Sequence, residues 1–303
     1  MGGNVFDSTE SIKKEHIQPT LAAFLEQISS IFPKAEAFFK EMQTLGSVGK
    51  KDYSGDIDLA LAGSSFDNIE DWGLDENRIQ ELFTLYKKRA RTSTEDQLRK
   101  RAIIVSVAEK ILDADTEIIA DVKGSGAGAL FLLFPQYDEA NQAVGQNVQI
   151  DINVGDVEWL AFAYHSTTYI GNVKGLHRTQ LLVSLFSHKG YIFSHNYGVK
   201  NKETQEIVAN NPQQSIDILN QLYELNLDRD IVGDYFKLIK TLDTGLSKQD
   251  LYGVYDTYLK ILDSTRADIP EDLQKYWIEN RNRLILKGRF LPDNSNLVQY
   301  KEQ

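Results

Sequence analysis

Hydrophobic residues recur at helical spacing along most of the chain, and a few short segments alternate as strands do. Helical spacing predicts helices over residues 9–30, 34–42, 74–90 and 94–112, and mostly helical structure after residue 156. Pro19 is a candidate break in the first of these helices. Strands are predicted at 116–122, 128–134 and 147–155, and a glycine-rich turn joins the first two. Together these elements predict an α/β protein.

Two segments place aspartates on one face of a predicted strand. In LGSVGKKDYSGDIDLAL, residues 45–61, Asp56 and Asp58 point to the same side because strand side chains alternate. In NVQIDINVG, residues 147–155, Asp151 shares its face with Gln149 and Asn153, opposite four apolar residues. Neighbouring carboxylates repel each other unless positive charge lies between them. The first segment therefore indicates a group that binds a cation.

Composition narrows the class of protein. The 303 residues are enough for two domains or for one domain with a substantial appendage, and 42% hydrophobic residues fit a globular core. With no cysteine and five scattered histidines, disulfides, thiolate metal sites and zinc clusters are not expected. No apolar run reaches the ~18 residues of a membrane span. Residues 1–7 lack the pattern of a secretory signal, so we expect a cytoplasmic protein without membrane partners.

The net charge of −11 argues against a surface that coats nucleic acid broadly, because phosphate contacts need clustered lysine and arginine. A local basic groove remains compatible with it. Basic residues cluster at 87–101 and again at 281–289. We interpret both clusters as solvated helix faces.

An Asp-x-Asp pair with a third aspartate has the chemistry of a magnesium site. Mg²⁺ prefers oxygen ligands and commonly shares its coordination with substrate phosphates. A second metal ~4 Å away needs at least one further carboxylate, for which Asp151 is the natural candidate. Ahead of the pair, Gly46 allows close backbone approach to a phosphate, and Ser47 offers a hydroxyl and an N–H. With positive charge from Lys50 or Lys51, these parts fit nucleotidyl transfer from a nucleoside triphosphate such as ATP.

Several later residues are weaker candidates for nucleotide contacts. Tyr164 is a candidate base or sugar contact, because aromatic faces stack on bases. His165 either stacks near the sugar or is a half-buried structural histidine. His177 and Arg178 begin a predicted helix, where they either contact a phosphate or occupy a surface or capping position.

The Gly-Ser pair, its spacer, the Asp-x-Asp strand and the third aspartate resemble the signature of the DNA polymerase β-type nucleotidyltransferase superfamily. SGDIDLAL is similar to the metal-binding strand of the family X DNA polymerases, and VQIDINV resembles their third-aspartate strand. The resemblance implies that Asp56 and Asp58 bind two Mg²⁺ ions and that Asp151 binds the catalytic one. It also implies that Gly46, Ser47 and Lys50 hold the β- and γ-phosphates, and that Mn²⁺ can substitute for Mg²⁺.

The resemblance continues past the aspartates. AYHS, residues 163–166, stands where the family carries a Tyr-Phe turn, and KGYIFSHNYGV, residues 189–199, is similar to the family's thumb segment. Together with 213–225, this covers under half of the chain. We expect no counterpart of the family's helix-hairpin-helix and lyase parts before Gly46, which weakens the case for templated synthesis and admits untemplated transfer.

We therefore expect a nucleotidyltransferase palm with a mixed β-sheet flanked by helices over residues 1–165. A thumb-like subdomain over 166–225 and a helical C-terminal domain over 226–303 would follow. The expected reaction moves a nucleoside monophosphate, ribo or deoxy, from a triphosphate to an acceptor hydroxyl, preferentially a nucleic-acid 3′ end. The alternatives are transfer to a small molecule, a protein or tRNA, or a non-catalytic scaffold that keeps the fold.

Overall fold

The computed structural model describes residues 5–90, 93–126, 128–166 and 173–265, except the side chain of residue 263. Contacts along the chain divide it into two compact units, one ending at Ala161 and the other beginning at Phe162. The first unit holds seven strands and four complete helices within the described residues. The three-part division expected from the sequence stays a prediction.

The first unit consists mainly of one sheet and the helices packed on it. Its strands are β1 (Ile12–Lys13), β2 (Gln43–Thr44), β3 (Tyr53–Ser54), β4 (Ile57–Ala62), β5 (Ile119–Ala120), β6 (Ala129–Tyr137) and β7 (Ala143–Gly155). Its helices are α1 (Lys14–Ile31), α2 (Glu36–Lys40), α3 (Glu76–Arg89) and α4 (Glu95–Leu112), and α5 (Val157–Ala163) crosses the boundary between the units.

Five strands form a mixed sheet in the order β2-β4-β7-β6-β5. β4 and β7 are parallel neighbours, whereas the other three pairings are antiparallel. In a parallel pair the side chains of partner residues project from the same face of the sheet. This sheet with its flanking helices confirms the expected α/β fold class.

The strands and helices of the first unit form around one hydrophobic core. β4 and β7 bury Ile57, Ile150 and Ile152, and α4 buries every residue from Ala102 to Ala108 where it packs on the sheet and on α3. α1 continues through Pro19, so the break suggested by the sequence does not occur. Proline in a helix removes one backbone hydrogen bond, and the apolar face of α1, which includes Phe24, compensates by burial.

In the N-terminal segment, residues 5–13, the chain bends and turns over 5–8 and pairs as β1 at Ile12–Lys13, where the sequence predicted a helix from residue 9. β1 pairs with β3, and the Glu10 N–H donates to the Asn147 carbonyl over 2.9 Å. Thr9 forms a parallel bridge with Asn147. Long-range strand contacts therefore override the helical spacing here, and the segment lies beside the first half of β7.

The basic residues of α3 and α4 that make ion pairs do so mainly with glutamates. Arg99 pairs with Glu76 over 2.9 Å, and Arg78 pairs with Glu109 over 2.6 Å. Exposed pairs of this kind contribute little to stability. They agree with a solvated helix face for this basic cluster.

The second unit combines helices with a small antiparallel sheet. Its helices are α6 (Gly175–His188), α7 (Pro212–Tyr223), α8 (Arg229–Gly233), α9 (Tyr235–Gly245) and α10 (Lys248–Ser264). Its strands are β8 (Tyr191–Ser194), β9 (Gly198–Asn201) and β10 (Ile207–Ala209), in the order β10-β9-β8. The predicted interruption at 189–199 is thus a β-hairpin between helices. Residues 266–303 of the predicted C-terminal domain lie outside the described residues.

Candidate metal centre

Three aspartates converge where β4 and β7 run side by side. Asp58 on β4 is the direct partner of Asp151 on β7, so the two side chains leave the same face of the sheet. Asp56 immediately precedes β4 and lies on that side because strand side chains alternate. The alternation that the sequence showed in each strand becomes one acidic cluster because the two strands are parallel neighbours.

The three carboxylates are close enough to share a cation. One oxygen from each of Asp56, Asp58 and Asp151 lies within 4.8 Å of the other two. Asp151 is buried, and Asp56 and Asp58 are half-buried. Among the described residues, these three aspartates are the one group of three or more acidic or histidine side chains close enough to hold a metal ion. The group can therefore bind a metal ion.

Burial raises the pKa of each carboxyl group. The pKa of Asp58 rises to about 8, through burial first and then through repulsion from Asp56 and Asp151. Burial raises the pKa of Asp151 to about 7, against the hydrogen bond from Gln149. Burial also raises the pKa of Asp56, against the nearby positive charge of Lys51. The cluster consequently retains protons near neutral pH, and a cation that binds there displaces them.

Amide side chains from β7 hold two of the carboxylates. The Gln149 Nε2 donates to Asp151 Oδ1 over 2.7 Å, and the Asn153 side chain hydrogen-bonds to Asp58. Gln149 Oε1 accepts in turn from the Val5 N–H over 3.1 Å. The alternation in the sequence correctly placed Gln149 and Asn153 on the polar face of β7 with Asp151. It did not predict that their side chains hydrogen-bond to Asp151 and Asp58.

The predicted phosphate-binding loop leaves β2 beside the acidic cluster. The Leu45 N–H donates to the Asp58 carbonyl over 2.9 Å, which ties the start of the loop to β4. Gly46 has φ +60°, a left-handed conformation that glycine adopts without strain. The Lys50 N–H closes a turn by donating to the Ser47 carbonyl over 3.0 Å. Within the described part of the chain, the hydroxyl and N–H of Ser47 donate to no other group.

The remaining predicted nucleotide contacts belong to the second unit. The Tyr164 ring lies 4.9 Å from the ring of His195, measured between centroids. The His165 N–H donates to the Phe162 carbonyl, and its ring lies near Gly233. Both side chains are half-buried. Their contacts with a nucleotide stay predictions.

Arg178 is buried inside the second unit and is held by main-chain oxygens. Its Nε donates to the Val232 carbonyl over 2.9 Å and its Nη1 donates to the Phe162 carbonyl over 2.5 Å. The guanidinium also stacks on the Phe162 ring at 4.7 Å. Burial lowers the pKa of Arg178 to about 9. These contacts tie α6 to α8 and to the end of α5, and a phosphate contact for Arg178 stays a prediction.

Comparison with solved structures gives a weak likeness. The chain is similar to the solved structure of a Leishmania infantum polymerase beta in a ternary P/T complex, with a TM-score of 0.36 and 12% identity. The match covers 71% of this chain and 74% of that chain. No family model matches the chain, and no curated protein matches it either. A likeness at this TM-score carries no argument, so the chemistry rests on the geometry of the site.

The length and hydrophobicity of the helices test the expectation that no segment spans a membrane. Among the described residues, no helix is both long enough and apolar enough to cross a membrane. The cytoplasmic location stays a prediction.

Proposed function

We propose that this protein is a metal-dependent nucleotidyltransferase that moves a nucleoside monophosphate from a triphosphate to an acceptor hydroxyl. The observation that carries the proposal is the convergence of Asp56, Asp58 and Asp151 on one face of two parallel strands. The loop that contains Gly46 and Ser47 leaves the neighbouring strand, so a phosphate held there would be near the carboxylates.

The donor set fits Mg²⁺. It consists of carboxylate oxygens only, with neither histidine nor cysteine in the cluster, and hard cations such as Mg²⁺ prefer oxygen. Asp56, Asp58 and Asp151 would hold the ions, and Mn²⁺ would be accepted as a substitute. When bound, the metals would supply charge stabilisation for the attacking and leaving oxygens of an in-line displacement.

The loop would bind and orient the triphosphate. The positive φ of Gly46 turns the chain without a side chain in the way of a phosphate. Ser47 supports this role because its hydroxyl and N–H donate to no other group in the described residues. Lys50 follows within the same turn and would add a positive charge.

The preferred acceptor is a nucleic-acid 3′ end. This preference rests on the likeness of residues 189–199 to a polymerase thumb segment, which the structure forms as a β-hairpin. The net charge of −11 limits any nucleic-acid contact to a local surface. Transfer to a small molecule, a protein or tRNA is the competing outcome of the experiment below.

The test compares the unmodified protein with the double variant Asp56→Ala/Asp58→Ala. Both are incubated with Mg²⁺ or Mn²⁺ and labelled NTPs or dNTPs, and with primed DNA, RNA, tRNA or no polynucleotide. Asp115→Ala is the matched control, because Asp115 is an exposed aspartate of the same unit. We expect 3′ extension by the unmodified protein and the control, and its loss in the double variant.

Each outcome has a separate meaning. Label on tRNA internal sites, on protein or on a small molecule would support transfer but replace the acceptor. Extension that survives the double substitution would refute the role of the carboxylates. No transfer to any acceptor and no metal-dependent NTP binding would refute nucleotidyl transfer and favour a non-catalytic scaffold.

A further inference from the structure

The N-terminal segment, residues 5–13, lies against the strand that carries the third aspartate. Besides the Glu10 bond to Asn147, the Gln136 Nε2 donates to the Glu10 carbonyl over 3.2 Å. The Gln146 side chain donates to the Glu10 carboxylate over 2.7 Å. Several hydrogen bonds therefore fix this segment along β7. At its start, the Val5 N–H donates to the Oε1 of Gln149.

Gln149 connects this segment to the acidic cluster. Its side chain is buried, with 2% exposure, and both of its polar atoms are used. The Val5 N–H can only donate, so it requires the Oε1 of Gln149 on its side. The Nε2 must then face Asp151, to whose Oδ1 it donates over 2.7 Å. The main chain at Val5 thus decides which way the amide points.

A neutral donor suits a carboxylate that must also bind a cation. A carboxylate has two oxygens and about four acceptor positions, and the amide occupies one of them. A lysine or arginine in the place of Gln149 would hold Asp151 equally well but would compete with the metal for its charge. Gln149 orients the carboxylate and leaves its negative charge available. Groups that orient metal ligands in this way typically change metal affinity by ~10–100-fold.

We propose that Gln149 is a positioning residue for Asp151 and that the N-terminal segment completes the metal centre by holding the Gln149 amide. The inference rests on the proposed function only in taking Asp151 as a metal ligand. It assigns to residues 5–13 a role in metal affinity in addition to any role in folding.

Two pairs of variants test this. Gln149→Met keeps the length of the side chain but removes the amide, and Gln142→Met is the matched control at an exposed position directly before the same strand. Val5→Pro removes the N–H that donates to Gln149 and also fixes φ at this residue, whereas Val5→Ala keeps the N–H. The Val5 side chain is 39% exposed, so its loss alone should have little effect.

The readout is the binding of Mn²⁺ alone, measured by electron paramagnetic resonance on folded protein, with unfolding curves taken in parallel. We expect Gln149→Met to weaken Mn²⁺ binding ~10-fold or more, as removal of a ligand-orienting group does. We expect Val5→Pro to weaken it ~3–10-fold, because the amide loses only its own anchor. Both controls should stay within about twofold of the unmodified protein, as substitutions that leave the ligands untouched do.

Unchanged Mn²⁺ affinity in folded Gln149→Met and Val5→Pro, with affinity lost in Asp151→Ala, would overturn the inference. If Gln149→Met fails to fold, Val5→Pro decides alone. Absence of Mn²⁺ binding by the unmodified protein would overturn it as well. If the variants weaken Mn²⁺ binding but no nucleotide is transferred to any acceptor, the inference stands and the proposed reaction fails.

Discussion

Replacing Asp58 by asparagine should stabilise the metal-free protein above neutral pH, although it removes a predicted catalytic group. Burial raises the pKa of Asp58 from its usual 3.8 to about 8. Between these values the folded state binds more protons than the unfolded state, so stability falls as pH rises through this window. The substitution Asp58→Asn removes the buried charge and keeps a side chain of the same size. The pH dependence should weaken accordingly.

The size of the effect follows from the shift in pKa. Each pH unit between the two values corresponds to ~1.4 kcal/mol, so full removal of the charge would recover at most about 5 kcal/mol at pH 8. Part of the repulsion from Asp56 and Asp151 is relieved when the cluster shares its protons. We therefore expect Asp58→Asn to raise the free energy of unfolding by about 2–3 kcal/mol at pH 8 and by ~0–1 kcal/mol at pH 5.

The assay is urea unfolding at several pH values between 5 and 8.5, with EDTA or with excess MgCl₂. Tryptophan fluorescence reports mainly on the first unit, which contains Trp72 and Trp159, two of the three tryptophans of the chain. Mg²⁺ should stabilise the unmodified protein at pH 8 and have little effect on Asp58→Asn, since binding to the folded state alone raises stability. Asp115→Asn, at an exposed position, is the control. A variant that is less stable than the unmodified protein at pH 8 in EDTA would refute the reasoning.

Three further predictions concern packing, backbone and loop. Trp72→Ala should lower the free energy of unfolding of the first unit by about 3–5 kcal/mol. The reason is that the Trp72 ring packs on Phe66 and its Nε1 donates to the Ser65 carbonyl. A urea midpoint equal to that of the unmodified protein would contradict this prediction. Gly198→Ala should speed amide exchange over β9 and β10, because an added Cβ would lie 2.0 Å from the Ala209 carbonyl oxygen. Gly190→Ala, where a Cβ meets nothing within 4 Å, should change exchange less, and equal effects would show that φ alone matters. Ser47→Ala should raise KM for the triphosphate ~3–10-fold through loss of one hydrogen bond with Mn²⁺ affinity unchanged, and an unchanged KM would remove Ser47 from the phosphate site.

The sequence predicted the structure correctly where the alternation of polar and apolar residues decides which face of a strand a side chain occupies. The faces of residues 56–59 and 147–155 were readable because strand side chains alternate. That β4 and β7 are parallel neighbours, with Asp58 opposite Asp151, is a long-range property that alternation cannot indicate. Asp151 entered the predicted site because a second metal needs a further carboxylate, and the resemblance to a known family supported that choice. The nucleotide contacts of Tyr164, His165 and Arg178 stay predictions.

The N-terminal segment shows what local patterns miss. The spacing of apolar residues from residue 9 favoured a helix, but Ile12 and Lys13 pair with β3, and Glu10 bonds to Asn147. Partners 40 or more residues away along the chain decide this outcome, and local spacing contains no information about them. For the same reason the sequence showed Gln149 only as one polar residue of a strand face, since its partner Val5 lies 144 residues away along the chain.

Burial of the three carboxylates explains both why amide side chains hold them and why the metal-free protein loses stability above neutral pH. Burial makes each carboxylate costly, and the hydrogen bonds to Asp151 and Asp58 come from the neutral amides of Gln149 and Asn153. Amides fix the positions of the carboxylates but do not cancel their charge. The cost therefore stays with the metal-free protein and becomes available as binding free energy when a cation replaces the protons. On this argument, substitutions that relieve the charge and substitutions that release Gln149 should have opposite effects on metal-free stability while both weaken metal binding.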